Sequence, residues 1–140
     1  MPRIKLPLPS RIDFEMHLTL RVGDMNYGGH MGNDSVLTIA HEARVQFLQS
    51  LALEERNFYG VSLLMADSAV VYKKEAFYGD NLIIQISVSE LYNYGFELLY
   101  LIKDVNSNLE VARVKTGLVC YSHKDKKITT LPMDFYNKFS

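Results

Sequence analysis

The chain has 140 residues with a formal net charge of −1, and 48% of its residues are hydrophobic and 22% charged, as in one soluble globular domain over residues 1–140. This charge argues against nucleic acid or an anionic membrane as the main partner, and no apolar run reaches the ~18 residues that cross a bilayer. The N-terminal segment is too short and too proline-broken for a signal peptide, so we expect a cytoplasmic protein.

The first strand is predicted from Phe14 to Val22, where apolar and polar residues alternate. The loop after it, up to residue 32, holds four of the eight glycines, which let a backbone approach a ligand closely. The loop leads into a helix, whose free N–H groups and dipole favour an oxyanion or a phosphate. Between and after the glycines lie the polar residues Asp24, Asn26, His30 and Asn33. We expect the active site here, although a capped polar turn would show the same residues.

A helix is predicted from Asn33 to Ala52, with one broad apolar arc. Arg44 falls inside that arc, and an unpaired buried charge costs several kcal/mol or more. We therefore expect Arg44 to pair with a carboxylate, Asp24 being a candidate, or to face a wet cavity or an anionic ligand. Glu42 points away from the arc and is a poor candidate for a general base. The arc consists of Val36, Leu37, Ala40, Ala43, Phe47, Leu48 and Leu51.

Four more strands follow, the first of them bent or bulged near Asp67 and Ser68. Cys120, the single cysteine, excludes an internal disulfide and a thiolate metal cluster, so we expect a buried structural thiol and no metal site. One helix and one antiparallel sheet must cover each other, which predicts an α+β fold. The predicted strands are Val61–Tyr78, Asn81–Leu91, Tyr94–Lys103 and Glu110–Ser122, with breaks suited to hairpins at Gly79–Asp80, Asn93–Gly95 and Asn106–Asn108.

This order of elements resembles the hotdog-fold acyl-CoA thioesterases of the 4-hydroxybenzoyl-CoA thioesterase type. The resemblance covers about Phe14 to Pro132 and implies one long central helix wrapped by a five-stranded antiparallel sheet. It also implies hydrolysis of an acyl-CoA or acyl-carrier-protein thioester, in a homodimer or dimer of dimers with sites at the subunit interface. No cofactor is implied beyond the coenzyme A of the substrate. The residues that carry the resemblance are Asp24-x-Asn26, Gly29-His30, Asn33, Glu42-Ala43-Arg44 and Tyr78-Gly79-Asp80.

The resemblance implies that the thioester carbonyl binds at the start of the central helix. There, a backbone N–H close to Asn33 would polarise it, in keeping with the general role of helix N-termini toward oxyanions. Tyr27 and Gly29, in the preceding loop, would contact the substrate. Lys73 and Lys74 are candidates for the phosphates of coenzyme A, although exposed lysines are more often only solubilising.

The sequence departs from the family pattern at Asn26, where relatives commonly carry the carboxylate that acts as nucleophile or general base. An amide has no useful basicity, so Asn26 can only orient water or bind the carbonyl. Enediyne polyketide thioesterases, which resemble this family, pair such an Asn with a helical arginine at the position of Arg44. His30 is another candidate base, because histidines titrate near neutral pH, or it only fixes the loop. Asp24 could act directly, but pairing with Arg44 would leave it a weak base.

Two other functions on the same fold stay open. The residues Gly23-Asp24-x-Asn26 followed by His30 resemble the signature of (R)-specific enoyl-CoA hydratases, but the Asp24 to His30 spacing is one residue longer and Tyr27 replaces a proline. The missing carboxylate also fits a non-catalytic acyl-CoA-binding protein. The sequence does not identify the acyl group.

Overall fold

A computed structural model describes residues 3–140 as one antiparallel sheet, a long helix on one of its faces and a short C-terminal helix. The α+β prediction is confirmed. The five expected strands are joined by a two-residue sixth strand, which pairs with the end of the fifth. No helix in residues 3–140 is long and apolar enough to cross a membrane. The elements are β1 (Phe14–Thr19), α1 (Asn33–Ser50), β2 (Ser62–Tyr72), β3 (Asn81–Tyr92), β4 (Gly95–Asp104), β5 (Glu110–Ser122), β6 (Lys127–Ile128) and α2 (Met133–Phe139).

The strands lie in the order β1-β3-β4-β5-β2, so β2 forms one edge of the sheet. The predicted hairpin at Gly79–Asp80 is therefore wrong, because the chain between β2 and β3 crosses from that edge to the far side of the sheet. The second strand also ends at Tyr72 rather than at Tyr78. Directly after Tyr72, the backbone N–H groups of Lys73 and Lys74 both donate to the carbonyl of Val111, so the regular strand pairing stops there. The predicted irregularity is present as a register shift between Met65 and Asp67.

Strand β1 ends at Thr19, three residues before the predicted end, and a 3-10 turn occupies Val22–Asp24. The partner strand explains the early end, because β3 begins at Asn81, directly opposite Thr19. The last long strand, β5, has the predicted bounds. Cys120 lies in the core at 0% exposure, as expected for a structural thiol, and burial raises its pKa to about 11.

Helix α1 packs its apolar face on the sheet and contacts β1, β3 and β5. Most of the predicted arc is buried, but Leu37 is 40% exposed, while Ile39, which lay outside the arc, is buried. The difference corresponds to a small rotation of the helix about its axis. Glu42 is exposed, as expected. The buried apolar residues of α1 are Val36, Ile39, Ala40, Ala43, Phe47 and Leu48.

Candidate active site

The loop before α1 is anchored by Asp24, which is buried. Its Oδ2 accepts the backbone N–H of Arg21 at 2.9 Å and lies 3.5 Å from the Arg21 guanidinium. Its carbonyl oxygen accepts the N–H of Gly32 at 3.1 Å and the hydroxyl of Ser35 at 2.9 Å. Asp24 therefore holds the two ends of the loop together.

Asn26 closes the tip of the same loop. Its Oδ1 accepts the backbone N–H groups of Gly28 at 2.8 Å and His30 at 3.3 Å, and its own N–H donates to the carbonyl of His30 at 2.8 Å. Gly29 adopts a φ of 84°, a left-handed conformation that glycine takes at little cost. In both of its side-chain hydrogen bonds Asn26 is the acceptor, through Oδ1. An aspartate at this position could therefore make the same two hydrogen bonds.

Helix α1 begins without a side-chain cap. Gly32 is the N-cap residue and has no side chain that could accept a hydrogen bond from the N–H groups of the first turn. A Cβ at Gly32 would lie 2.6 Å from Oδ1 of Asp34, so the close approach of that side chain favours glycine here. Free N–H groups and the positive end of the helix dipole thus face outward next to Asn33, which is exposed.

A pocket of about 290 Å³ lies between this helix start and the chain that follows β2. Two contacts join its walls: the N–H of Met31 donates to the carbonyl of Ala76 at 2.7 Å, and the hydroxyl of Tyr72 donates to the carbonyl of Asn33 at 3.3 Å. A helix N-terminus, a histidine, a carboxylate and two lysines therefore share one cavity. Its polar lining consists of His30, Asn33, Tyr72, Lys73, Lys74 and Glu75.

The hydrogen bond of His30 indicates which ring nitrogen holds the proton. Nδ1 lies 3.2 Å from the carbonyl oxygen of Met31. A carbonyl only accepts, so the neutral ring carries its proton on Nδ1 and has a lone pair on Nε2. Nε2 lies 3.9 Å from Oε1 of Glu75. In this arrangement His30 can take a proton at Nε2, with a carboxylate nearby to stabilise the resulting charge.

The predicted pairing of Arg44 with Asp24 is wrong. Arg44 Nε forms an ion pair with Oε1 of Glu55 at 2.5 Å, and Nη1 donates to the hydroxyl of Tyr100 at 3.0 Å. Burial opposes its charge, but Tyr100 and Glu55 together more than offset burial and raise the pKa of Arg44. The carboxylate of Asp24 is instead taken by Arg21, whose guanidinium lies 3.5 Å from its Oδ2.

The structure brings four of the predicted site residues into the pocket lining: His30, Asn33, Lys73 and Lys74. Asn26, Tyr27 and Gly29 lie in the adjoining loop but outside the lining, while Asp24 and Arg44 lie elsewhere in the fold, so this pocket gives no support to the predicted catalytic roles of Asp24 and Arg44.

Tyr72 and Glu75 are two pocket residues that the sequence reasoning missed. The sequence feature that could have identified them is their position on either side of Lys73 and Lys74, at the end of a strand.

Comparison with known proteins identifies the family of this chain. Residues 20–139 match the thioesterase-like superfamily. The 1,4-dihydroxy-2-naphthoyl-CoA hydrolase of Acaryochloris marina is 28% identical over 122 residues, which cover 83% of this chain and 88% of the relative. The enzyme of the same name from Synechococcus elongatus is 24% identical over 124 residues, which cover 86% of this chain and 90% of the relative.

Solved structures show the same fold. The 1,4-dihydroxy-2-naphthoyl-CoA thioesterase from Synechocystis superposes with a TM-score of 0.82 at 22% identity, covering 90% of this chain and 94% of that one. The DHNA-CoA thioesterase from Staphylococcus aureus gives a TM-score of 0.76 at 18% identity, and the superposition covers 89% of this chain and 84% of that one. These likenesses confirm the predicted hotdog fold. With the match over residues 20–139, they show that the chain belongs to the thioesterase-like superfamily.

Proposed function

We propose that this protein hydrolyses acyl-CoA thioesters in the pocket at the start of α1. The observation that carries the proposal is the uncapped helix N-terminus beside Asn33, which shares a cavity with His30 and two lysines. The names of the relatives, which are CoA-thioester hydrolases, support the same substrate class. The coenzyme A portion belongs to the substrate, and the reaction as proposed uses no other cofactor.

In this proposal the thioester carbonyl accepts hydrogen bonds from first-turn N–H groups of α1, close to Asn33. These donors stabilise the oxyanion that forms when water attacks, and one such donor typically contributes ~10²–10³ in rate. The helix dipole adds to the effect, because its positive end faces the developing charge.

His30 activates the water. Its Nε2 takes one proton as the water oxygen bonds to the carbonyl carbon, and Glu75 stabilises the imidazolium. The tetrahedral intermediate then collapses, the carbon–sulfur bond breaks and the imidazolium returns its proton to the departing thiolate. The products are a carboxylic acid and free coenzyme A. Asn26 is a positioning residue, because its Oδ1 holds the backbone of His30.

Lys73 supplies positive charge for the phosphates of coenzyme A at the mouth of the pocket. It is exposed, whereas Lys74 already lies 3.4 Å from a carboxylate oxygen of Asp104. Hydrogen bonds from backbone N–H groups and from Lys74 outweigh burial and lower the pKa of Asp104, so that carboxylate stays charged and retains its partner. Lys73 is accordingly the stronger candidate.

The functional unit in this proposal is a homodimer that forms through β2. This edge strand has eleven residues with one side unpaired, and a long open edge can pair with the same strand of a second copy. Met65 is 46% exposed, and Leu64 and Leu37 are also exposed. Met65→Lys should shift the protein toward monomer in light scattering and lower hydrolysis. A wild-type monomer at micromolar concentration would contradict the interface.

The test is release of free thiol from a panel of acyl-CoAs: acetyl, hexanoyl, palmitoyl, benzoyl and naphthoyl. We expect turnover of at least one ester and a loss of ~10²-fold or more in His30→Gln. His41→Gln is the matched control, because His41 also faces a carboxylate, Glu55 at 3.3 Å, but lies outside the pocket. Absence of hydrolysis across the panel would refute the proposal, and water addition to crotonyl-CoA would replace it with hydratase chemistry. Tight binding without turnover would instead indicate an acyl-CoA-binding protein.

A further inference from the structure

A further cavity lies on the face of the sheet that α1 does not cover, between β3, β4, the extended chain before β1 and the end of α2. Two arginines fasten that extended chain: Arg113 Nη1 donates to the carbonyl of Leu6 at 2.7 Å, and Arg11 Nη2 donates to the carbonyl of Phe139 at 2.7 Å. The cavity has a volume of about 350 Å³, and none of its described lining residues belongs to the active-site pocket or to β2. It is therefore preformed, and a ligand there would leave the proposed thioesterase site and dimer edge open.

The cavity contains a buried hydroxyl that lacks a hydrogen-bond partner. Ser87 of β3 lies opposite Leu99 of β4. Its chain neighbours Ile86 and Val88 face the main core, so the Ser87 side chain points to the cavity side of the sheet. Ser87 is 3% exposed, and among the buried side-chain oxygens and nitrogens of residues 3–140 only its Oγ has no partner. Buried hydroxyls are nearly always hydrogen-bonded, because an unmade bond costs free energy. A ligand in the cavity would supply the missing partner.

A β-bulge places two glutamates beside this hydroxyl. The regular pairing of β3 with β4 ends at Val88. The next pair joins Glu90 to Glu97, so Ser89 is the extra residue of the bulge. In an unbroken register Glu90 would lie opposite Phe96, which faces the core. The bulge instead turns Glu90 toward Glu97, and both glutamates line the cavity.

The two facing glutamates form no ion pair within residues 3–140. Like charges directly opposite each other destabilise an antiparallel pair of strands. The facing carboxylates therefore lower the stability of the protein by itself, and a positive charge bound between them would remove this repulsion. Two cations on this face of the sheet already have other partners: Arg11 pairs with Asp13 at 3.0 Å, and Lys115 pairs with Asp67 at 2.8 Å.

We propose that this cavity binds a small organic ammonium ion with an apolar body. A protonated primary amine has three N–H donors and no acceptor, which matches two carboxylates and the unpartnered Oγ of Ser87. Glu97 is two residues from Leu99, the position opposite Ser87. Such diagonal neighbours have Cβ atoms ~7–8 Å apart, so one nitrogen can lie between their polar groups. Leu99 and Phe139 supply an apolar wall for the rest of the ligand.

A metal ion fits this cavity less well than an amine. Residues 3–140 contain no group of three or more histidine, cysteine, aspartate or glutamate side chains placed to hold a metal. The lining also includes prolines, leucines and a phenylalanine, which suit the hydrocarbon part of an amine rather than the waters that a hard cation retains. The chemistry of the cavity therefore favours an ammonium group.

The unpartnered hydroxyl and the facing charges predict an unusual effect of substitution on stability. Ser87→Ala removes a hydroxyl that has no partner, and Glu90→Gln removes one of two facing charges, so neither variant should have a lower Tm than wild type. Natural proteins break such rules chiefly at functional sites. A structural role would instead make both variants less stable.

The experiment is isothermal titration calorimetry at pH 7 with two probes of the same shape, 2-phenylethylamine and 2-phenylethanol. The amine is protonated at this pH, because alkylamines lose their proton at about pH 10, whereas the alcohol carries no charge. We expect saturable binding of the amine, at least about tenfold tighter than that of the alcohol, since hydrogen bonds between charged groups exceed neutral ones. Butylamine and 1-butanol repeat the comparison without the ring.

Three variants connect the binding to this cavity. Ser87→Ala should weaken amine binding about three- to tenfold and Glu90→Gln about tenfold or more, both at an unchanged or higher Tm. Glu15→Gln is the matched control, because Glu15 lies on the same face of the sheet but outside the cavity, and it should keep the wild-type affinity. Three results would each overturn the proposal: no saturable binding of either amine, equal affinity for amine and alcohol, or unchanged amine affinity in either cavity variant. Weaker binding accompanied by a lower Tm in both cavity variants would also overturn it.

Discussion

The ion pair between Arg44 and Glu55 gives a quantitative prediction about stability. The Arg44 side chain is 6% exposed and that of Glu55 is 29% exposed, so the guanidinium depends on Glu55 and Tyr100 for its partners. Glu55→Ala removes the carboxylate and leaves a buried charge without its counter-ion. Breaking a fully buried pair costs about 3–5 kcal/mol, and the partial exposure of Glu55 reduces this to about 2–3 kcal/mol.

Thermal unfolding followed by circular dichroism measures this loss. For a chain of this length, about 2–3 kcal/mol corresponds to a Tm lower by roughly 5–10 °C. Replacing both partners together, Arg44→Met with Glu55→Leu, should restore much of the stability, because apolar groups of similar volume need no counter-ion. A free energy of unfolding for Glu55→Ala within about 0.5 kcal/mol of wild type would refute the reasoning, since surface substitutions typically have effects of that size.

The same pair predicts the sign of a pH effect. Burial raises the pKa of Glu55, but the hydrogen bond and charge of Arg44 outweigh burial, so the pKa lies below its ordinary 4.5. A lowered carboxylate pKa contributes stability that is present above about pH 4.5 and lost as pH falls through the folded value. The difference between wild type and Glu55→Ala should therefore be constant near neutral pH and shrink in acid. A difference that grows below pH 4.5 would contradict the assignment.

Three further predictions concern other residues. Cys120, with its pKa raised to about 11, should not react with a thiol reagent at pH 8 until the protein is denatured; rapid labelling of the native protein would contradict its burial. Gly95→Ala would place a Cβ 1.9 Å from the carbonyl oxygen of Leu118 and should destabilise by about 3 kcal/mol in urea unfolding, whereas Gly79→Asn, in open space with a φ of 83°, should cost much less. Asn26→Ala should lower kcat about tenfold by releasing His30, and Asn26→Asp should restore it; equal rates in all three proteins would remove its positioning role.

The fold was predictable where local pattern decides it. The alternation of apolar and polar residues along β5 and the 3.6-residue period of α1 show which side chains face the core. The predicted ends of both elements differ from those in the structure by two residues or fewer. The end of β2 and the crossing after it depend on pairing with β5, where Tyr72 lies opposite Ala112, and no local pattern records a contact so distant in sequence. The rotation of α1 that exposes Leu37 likewise depends on how the helix packs against the sheet, and the helical pattern alone does not contain this information.

The candidate site was predictable in part for the same reason. His30 and Asn33 belong to a loop and helix start whose chemistry is visible in one continuous stretch of sequence. Tyr72 and Glu75 join them only because the chain after β2 folds back against that loop. The partner of Arg44 depends on how the loop after α1 folds, because that loop brings Glu55 to the guanidinium, and no local pattern records this contact.

The most direct test of the proposed mechanism is the pH dependence of kcat/KM on the best acyl-CoA substrate, with His30→Gln and Glu75→Gln beside wild type. A base at Nε2 of His30 predicts a wild-type rate that falls as pH is lowered through the range in which histidines take up a proton. In His30→Gln the residual rate should be ~10²-fold or more lower and lack this fall, while Glu75→Gln should lower the rate but keep the fall. A wild-type profile retained at full rate in His30→Gln would contradict the mechanism and assign water activation to another group.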